Sequence, residues 1–425
     1  MVIELKSKEG FVTEQQAREA IGGFFAQNDY TNKRILLIVP DNTRSGPVGN
    51  IFKNIYDFLV DKAKAIHILV ALGTHQPLSE EQICARLGIT TQQRRSKYAS
   101  VKFFNHRWEK PETFTLIGRI GASEIEQITD GLFNEEVNVA INKLIFEYDE
   151  FFIIGPVFPH EVIGFSGGHK YIFPGIAGSE IINFFHWLSA VITIPAIIGN
   201  KWTPPRQIVE KAASLVKVPR KLFAIVSIDN QLKGLFIGDC KQAWEKAADL
   251  SKDVHIVYKD KPYHTILGEA PRMYDDIWTA AKVAYKLDPI LADGGTLIIY
   301  APHISEISYT HGKILDKISY HTRDYFLKQM DKFASVPRAA MAHSTHVKGL
   351  GTFVNGVERP RVNVILATGI SKERCEKVNL GYMNPNDINI DDYENREDEG
   401  ILVVRQAGET LYRLSSGYAP SADNL

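Results

Sequence analysis

Cysteine is scarce in this chain. Cys84, Cys240 and Cys375 are the three in 425 residues, far apart and without a CxxC spacing. That argues against a disulfide scaffold or a thiolate zinc site and for a reducing cytoplasm. Long apolar runs are missing too. The richest, Phe184 to Asn200, is interrupted by His186, Ser189 and Pro195. It falls short of the ~20 apolar residues that a membrane span needs and reads as buried helix or strand. The opening MVIELKSKEG has no apolar signal core, so a cytoplasmic protein is expected. A net charge of −1 supplies no global field to recruit nucleic acid or an anionic membrane. Neither a Walker A loop nor a G-x-G-x-x-G fingerprint is present.

What remains is an ordinary globular composition, 44% hydrophobic and 23% charged. The length suits two or three domains. Short continuous apolar runs, Arg34 to Val39 and Ile66 to Ala71, suit parallel strands buried on both faces. A helical pattern follows each, over Val48 to Lys64 and after Ser79, where Glu80 and Glu81 favour the first turn. Residues 98–150 read as shorter strands and turns before the sheet resumes at Phe151. Leu222 to Ile228, the turn Asp229-Asn230, Leu235 to Ile237 and a helix from Lys241 to Leu250 continue the alternation. After KDKPYHTILGEA the rhythm restarts: helix Met273 to Leu287, strand Thr296 to Tyr300, helix Thr322 to Phe333, then strands Asn363 to Leu366 and Ile401 to Arg405. The expected architecture is α/β, with two domains of Rossmann-like, mostly parallel sheets and an active-site cleft between them. The N-terminal domain is assigned to 1–265 and the C-terminal domain to 266–425. The small, polar tail from Ser415 is expected to fray.

Polar loops at the ends of these strands hold the candidate chemistry, since ligands of open α/β sheets bind at the carboxyl ends of strands. In Asp41-Asn42-Thr43-Arg44 an Asx-type turn is one reading. The other has Arg44 offering its planar fork to a carboxylate or phosphate, with Asp41 orienting it or an imidazole. His75, in Gly73-Thr74-His75, has the titration range for acid/base work. His160 precedes a turn whose Gly164, Gly167 and Gly168 let backbone N–H groups approach an anion. Lys170 just beyond adds charge or a covalent attachment point. His186 lies in an apolar helix face, where a satisfied core histidine is the default. Trp278, Thr279 and Lys282 share a helical face. The loop-like HSTHVKG, His343 to Gly349, is dense in ligand-type groups, but no acidic third ligand accompanies its two histidines.

In order and spacing these motifs resemble the lactate racemase family, the nickel-pincer-nucleotide 2-hydroxyacid racemases and epimerases. DNTR resembles the family's Asp-x-Thr-Arg loop, and GTHQP its Gly-x-His-Arg-Pro loop. The GFSGG turn lies intact between His160 and Lys170, and His186 follows Lys170 by 16 residues. GLFIGD, Gly234 to Asp239, also matches, and the similarity covers nearly the whole length.

The resemblance implies that Lys170 holds the cofactor through a thioamide. That cofactor is a pyridinium-3-thioamide-5-thiocarboxylic acid mononucleotide, with nickel bound by two sulfurs and a carbon. His186 would be the fourth nickel ligand, and Gly167 and Gly168 would receive the phosphate. His75 and His160 would be the acid/bases, and Arg44 would grip the substrate carboxylate. Asp41, Gln76, Trp278, Thr279 and Lys282 would complete the substrate pocket. The chemistry is coherent. Imidazole is too weak a base to place a carbanion beside a carboxylate, whereas hydride transfer to an electron-poor pyridinium asks it only to take a hydroxyl proton.

Several positions depart from the family pattern. Gln76 and His169 stand where the family usually has Arg, Thr279 where it has an amide, and Trp278 where it has Tyr. Near Ala339 a tryptophan of some members is missing. A substrate other than lactate is therefore expected, with His343, His346 and Lys348 meeting a second polar or anionic group. Beyond the 2-hydroxyacid, the implied partners are the enzymes that make the cofactor. Two competing readings are an oxidoreductase of the same fold using another redox cofactor, and a non-catalytic cofactor carrier or small-molecule sensor.

Overall fold

A computed structural model describes residues 2–417, and most of the tail from Ser415 lies outside them. The chain divides into two compact units. The first takes the residues up to Phe158, Phe165–Ile182 and Arg206–Val254; the second takes Pro159–Gly164, Asn183–Pro205 and everything from His255. The second unit therefore begins before 266 and also claims two segments that the sequence division placed in the first domain. Strand–helix alternation reports local order, not which core a connecting segment joins.

The first unit is built on a seven-stranded sheet. In chain order its strands are β1 (Ile3–Lys6), β2 (Arg34–Pro40), β3 (Ala65–Ala71), β4 (Phe103–Asn105), β5 (Glu150–Pro156), β6 (Arg220–Ile228) and β7 (Gln231–Gly238). They lie in the order β1-β7-β6-β5-β2-β3-β4. The five from β6 to β4 are parallel, and β7 and β1 add an antiparallel edge. The run RILLIV is continuous and apolar because β2 is central and both its faces are covered.

Two helices with apolar stripes cover one face. The first, α1 (Glu14–Ala26), starts at a capping box in which the Thr13 hydroxyl accepts from Gln16 N–H. The second, α2 (Val48–Leu59), stops at Leu59 rather than running to Lys64, because the polar Asp61-Lys62 stretch turns the chain into β3. Phe24 and Phe25 of α1 meet Phe152 and Phe223 of the sheet, the Phe24–Phe223 ring centroids lying 5.4 Å apart. Each such fully buried side chain contributes about 1.5–3 kcal/mol.

The register that matters for function is β2 against β3. Pro40 pairs with Ala71, so the two parallel strands end side by side. The loops that follow, from Asp41 and from Leu72, leave the sheet at one edge. Ser79 caps α3 (Glu80–Arg86) with a capping box, as its sequence predicts.

The second unit has a five-stranded parallel sheet. Its strands are β8 (Tyr263–Glu269), β9 (Leu291–Ala301), β10 (Asn363–Thr368), β11 (Gly381–Tyr382) and β12 (Ile401–Val404), in the order β11-β10-β9-β8-β12. The single helix expected over Met273 to Leu287 is two short ones, Ile277–Ala280 and Lys282–Leu287, and the first starts only after Asp276, whose carboxylate accepts from Thr279 N–H. Helix Thr322 to Phe333 is likewise interrupted, into Arg323–Leu327 and a tight turn at Met330–Phe333. HSTHVKG is not a loop: residues 343–348 are the last turns of the helix Arg338–Lys348. Among the described residues no helix is long and apolar enough to cross a membrane.

Candidate functional site

Asp41 is the hinge of the first unit's site. One carboxylate oxygen, Oδ1, accepts from Thr43 N–H at 3.0 Å and from the Thr43 hydroxyl at 2.8 Å, closing an Asx turn. The other, Oδ2, lies 2.5 Å from His75 Nδ1. One oxygen thus closes the Asx turn and the other faces an imidazole. A carboxylate only accepts, so His75 carries a proton on Nδ1, and its neutral ring has the lone pair at Nε2. Asp41 is buried and His75 partly exposed. The Trp108 indole N–H donates to the His75 carbonyl at 2.9 Å and steadies the loop from behind. Arg44 donates to the Thr43 carbonyl, and Gln76 is exposed.

Backbone bonds tie this loop to the lysine turn. Gly73 N–H donates to Gly175 O at 3.0 Å, and Gly175 N–H to Lys170 O at 3.3 Å. Position 175 must be glycine: a Cβ there would stand 2.1 Å from the Tyr171 carbonyl oxygen.

The glycine turn is held by charge as well as shape. Gly167 and Gly168 have φ of +84° and +58°, where side chains are strained. A Cβ on Gly168 would also press on the Trp244 ring at 3.0 Å. The Trp244 indole donates to Ser166 O at 2.9 Å. Over its ring, at 3.9 Å, lies the guanidinium of Arg206, fully buried. Arg206 donates to the carbonyls of Phe165 and Gly167 and pairs with Glu210 at 3.4 Å. Burial pulls its pKa down to about 10, opposed by Glu210, so it stays charged at neutral pH.

His169 extends this network. Arg220 Nε–H donates to its Nε2 at 3.0 Å, so its Nδ1–H donates to Glu210 at 2.7 Å. Burial alone would raise the Glu210 carboxyl, but the bond from His169 and the charge of Arg206 outweigh it and hold the group below its usual range. Lys170, partly buried, lies within the short helical turn Gly168–Tyr171. The sequence flagged His169 only as a departure; its partners lie 41 and 51 residues away, beyond any local pattern.

The remaining predicted residues belong to the second unit. His160 is buried, and its Nδ1 accepts from Val162 N–H at 3.1 Å. His186 is partly buried in the helix Ser179–Ile192, its ring stacked on Phe185 at 4.6 Å. Ser189, one turn on, donates its hydroxyl to the His186 carbonyl at 2.6 Å. His346 Nε2 lies 3.2 Å from that Ser189 oxygen, which leaves it the donor. Burial lowers the His346 pKa to about 4, with Glu161 opposing.

Trp278 is sandwiched between His311 and His343, at 4.3 and 4.1 Å between ring centroids. His343 lies between the hydroxyls of Tyr285 (3.0 Å) and Tyr320 (3.3 Å), and burial drives its pKa far down. Thr279 spends its N–H and hydroxyl on Asp276. The Lys282 ammonium sits 4.5 Å from the Tyr274 ring centre. Lys348 donates to Asn379 O at 2.5 Å. The tyrosines around His343 were not visible as partners in the sequence. Among the described residues, no group of three or more His, Cys, Asp or Glu is placed to hold a metal by itself.

Residues 24–194, the stretch that carries Asp41, His75, His160, Lys170 and His186, match the lactate racemase N-terminal domain. Two lactate racemases match over longer stretches. That of Thermoanaerobacterium thermosaccharolyticum is 25% identical over 278 residues, and that of Lactiplantibacillus plantarum 24% over 271. The N-terminal part of the chain thus carries a lactate racemase N-terminal domain. The match covers 63% of this chain in both cases, but only 60% and 59% of the two relatives. A crystal structure of a Thermotoga maritima protein superposes with a TM-score of 0.89 at 33% identity, over 97% of this chain and all of that one. The apoprotein of the Thermoanaerobacterium lactate racemase superposes at 0.65 with 19% identity, over 93% of each chain, a likeness of fold alone.

Proposed function

We propose that this chain racemises, or epimerises at C2, a 2-hydroxycarboxylic acid other than lactate, using a nickel-pincer nucleotide tethered at Lys170. The observation that carries the reading is the Asp41–His75 pair at 2.5 Å, tied through Gly73 and Gly175 to the turn that carries Lys170. A carboxylate-oriented imidazole beside a lysine on a rigid, positively backed turn is the constellation that the family chemistry requires.

The residues fit the cofactor. The Lys170 amine can form the thioamide, and the buried Arg206 charge behind the turn favours an anionic phosphate at Gly167 and Gly168. Three donors to nickel would come from the cofactor itself, so His186 would supply the remaining ligand and no protein cluster is needed. Bound there, the pyridinium ring would accept the substrate's C2 hydride and return it. His75 Nε2 takes the hydroxyl proton as the carbonyl forms, with Asp41 facing the resulting imidazolium. His160 serves the opposite enantiomer, and Arg44 holds the substrate carboxylate. The changes at Gln76, Trp278 and Thr279 alter the residues assigned to substrate and leave Lys170 and His186 in place, which supports a different 2-hydroxyacid. His346 and Lys348 are assigned to that acid's second polar group. Retained activity on every 2-hydroxyacid in H346A and K348A variants would remove that part of the reading.

The test is a chiral assay on protein co-expressed with the cofactor's biosynthetic enzymes, over a panel including malate-like and sugar acids. Interconversion lost in H75A and in H160A, with cofactor retained in both, supports the reading. Turnover in either variant refutes the two-base scheme. Stoichiometric consumption of free NAD would favour an oxidoreductase.

A further inference from the structure

We propose that Glu161 is the positioning residue that puts His160 into its working tautomer, the counterpart of Asp41 for His75. The proposal rests on the acid/base reading of His160.

The two imidazoles stand in opposite tautomers. His75 donates Nδ1–H to Asp41, which leaves Nε2 able to take a proton. His160 does the reverse: its Nδ1 accepts from Val162 N–H at 3.1 Å, so the neutral ring carries its proton on Nε2. A ring in that state cannot accept a second proton at Nε2. To do so it must carry its proton on Nδ1, where it would face the Val162 N–H, donor against donor.

Glu161 resolves the conflict. Its Oε2 lies 3.6 Å from His160 Nδ1. Both residues are buried, His160 5% and Glu161 8% exposed, so an imidazolium here needs a carboxylate beside it. A small rotation moves Nδ1 from Val162 to Glu161. Nδ1 then takes up a proton from water, giving an imidazolium beside the carboxylate, and Nε2–H passes its proton back to water, so the ring donates Nδ1–H to Glu161 and carries its lone pair on Nε2. The substrate O–H bond breaks as the N–H bond forms at Nε2, and the resulting imidazolium faces Glu161. The return step gives that proton back to the oxygen and leaves the Nδ1–H in place. The Val162 contact is a parked state, and Glu161 releases the ring from it.

The surrounding groups stay constant while His160 titrates. Lys286, fully buried, donates to the Pro159 carbonyl. The Tyr285 phenol, near Glu161, is pushed well up by burial and stays neutral. His346, also within electrostatic reach of Glu161, is neutral above about 4.

The experiment uses the full chain without cofactor, labelled at histidine with 15N, in wild-type, E161Q, E161D and H160Q forms, H160Q assigning the signal. Wild-type His160 should show the Nε2–H tautomer at neutral pH. In E161Q its titration midpoint should fall by roughly one pH unit, the effect of losing a nearby opposite charge, and E161D should recover part of the shift. In the loaded enzyme, E161Q should keep its adduct on Lys170, turn over roughly tenfold more slowly, and move its pH–rate profile with the NMR midpoint. An unchanged midpoint overturns the proposal and leaves the acid/base reading standing. Wild-type turnover and pH profile in fully loaded E161Q also overturn it. Turnover retained in loaded H160Q overturns the acid/base reading and this proposal with it.

Discussion

Replacing Asp41 with Asn separates the two tasks of its carboxylate. The amide keeps one acceptor oxygen, which the Thr43 N–H and hydroxyl, at 3.0 and 2.8 Å, claim for the Asx turn. The NH₂ group then takes the place of Oδ2, 2.5 Å from His75 Nδ1 in the wild type. It donates where the carboxylate accepted, so the His75 proton is driven from Nδ1 to Nε2. The ring is held in place with its lone pair on Nδ1 instead of Nε2, the nitrogen proposed to face substrate. The structural cost is one charge-assisted hydrogen bond, about 1.5–3 kcal/mol. The catalytic cost is the whole contribution of a general base, on the order of 10²- to 10⁴-fold in kcat. Chiral chromatography of the product gives the rate, and intact mass with nickel analysis confirms that the cofactor is retained. D41N turning over at close to the wild-type rate, fully loaded, would refute the assignment of Asp41 as the residue that orients His75.

Arg206→Met removes a fully buried cation from beneath the glycine turn and leaves Glu210 half-paired; a loss of about 3–5 kcal/mol is expected, with poor adduct formation at Lys170, read by thermal melting and intact mass. Gly175→Ala forces a Cβ to 2.1 Å from Tyr171 O, so a loss near the upper end of the roughly 1–3 kcal/mol of overpacking is expected in denaturant melts. Gly23→Ala, with nothing within 4 Å of its Cβ, should instead stabilise α1 by about 0.5–1 kcal/mol. Buried His106 and His346 are held neutral, burial lowering each from 6.5 to about 4. The unfolded chain binds protons first on acidification, so their stability is complete above pH 6.5 and is lost as the pH falls towards 4, about 3 kcal/mol for each; a melt series over that window should lose part of its slope in H106Q.

The parts legible in the sequence are those set by short-range patterns. RILLIV and IHILVA announce central parallel strands because both faces must be apolar. Ser79 announces a helix start because it stands as a cap ahead of Glu80 and Glu81. Asp41, His75 and Lys170 could be placed in loops at strand ends, and the β2–β3 register brings the first two together. The helix Arg338–Lys348 was not legible. Every residue from 340 to 347 is buried, and His343, Ser344 and His346 among them bond to Tyr285, Tyr320, Ser319 and Ser189. A helix that buries polar groups against polar partners shows no hydrophobic period. The same limit hid the Arg206–Glu210–His169–Arg220 network and the place of Glu161, which depend on contacts and tautomers rather than residue spacing.

The central claim is that Lys170 carries the cofactor. The direct measurement is intact mass and nickel content of the chain co-expressed with the pincer-nucleotide biosynthetic enzymes, beside a K170A control. The account predicts a mass increment mapped to Lys170 with about one nickel per chain, both absent from K170A. No adduct and no nickel in the wild-type chain would contradict it.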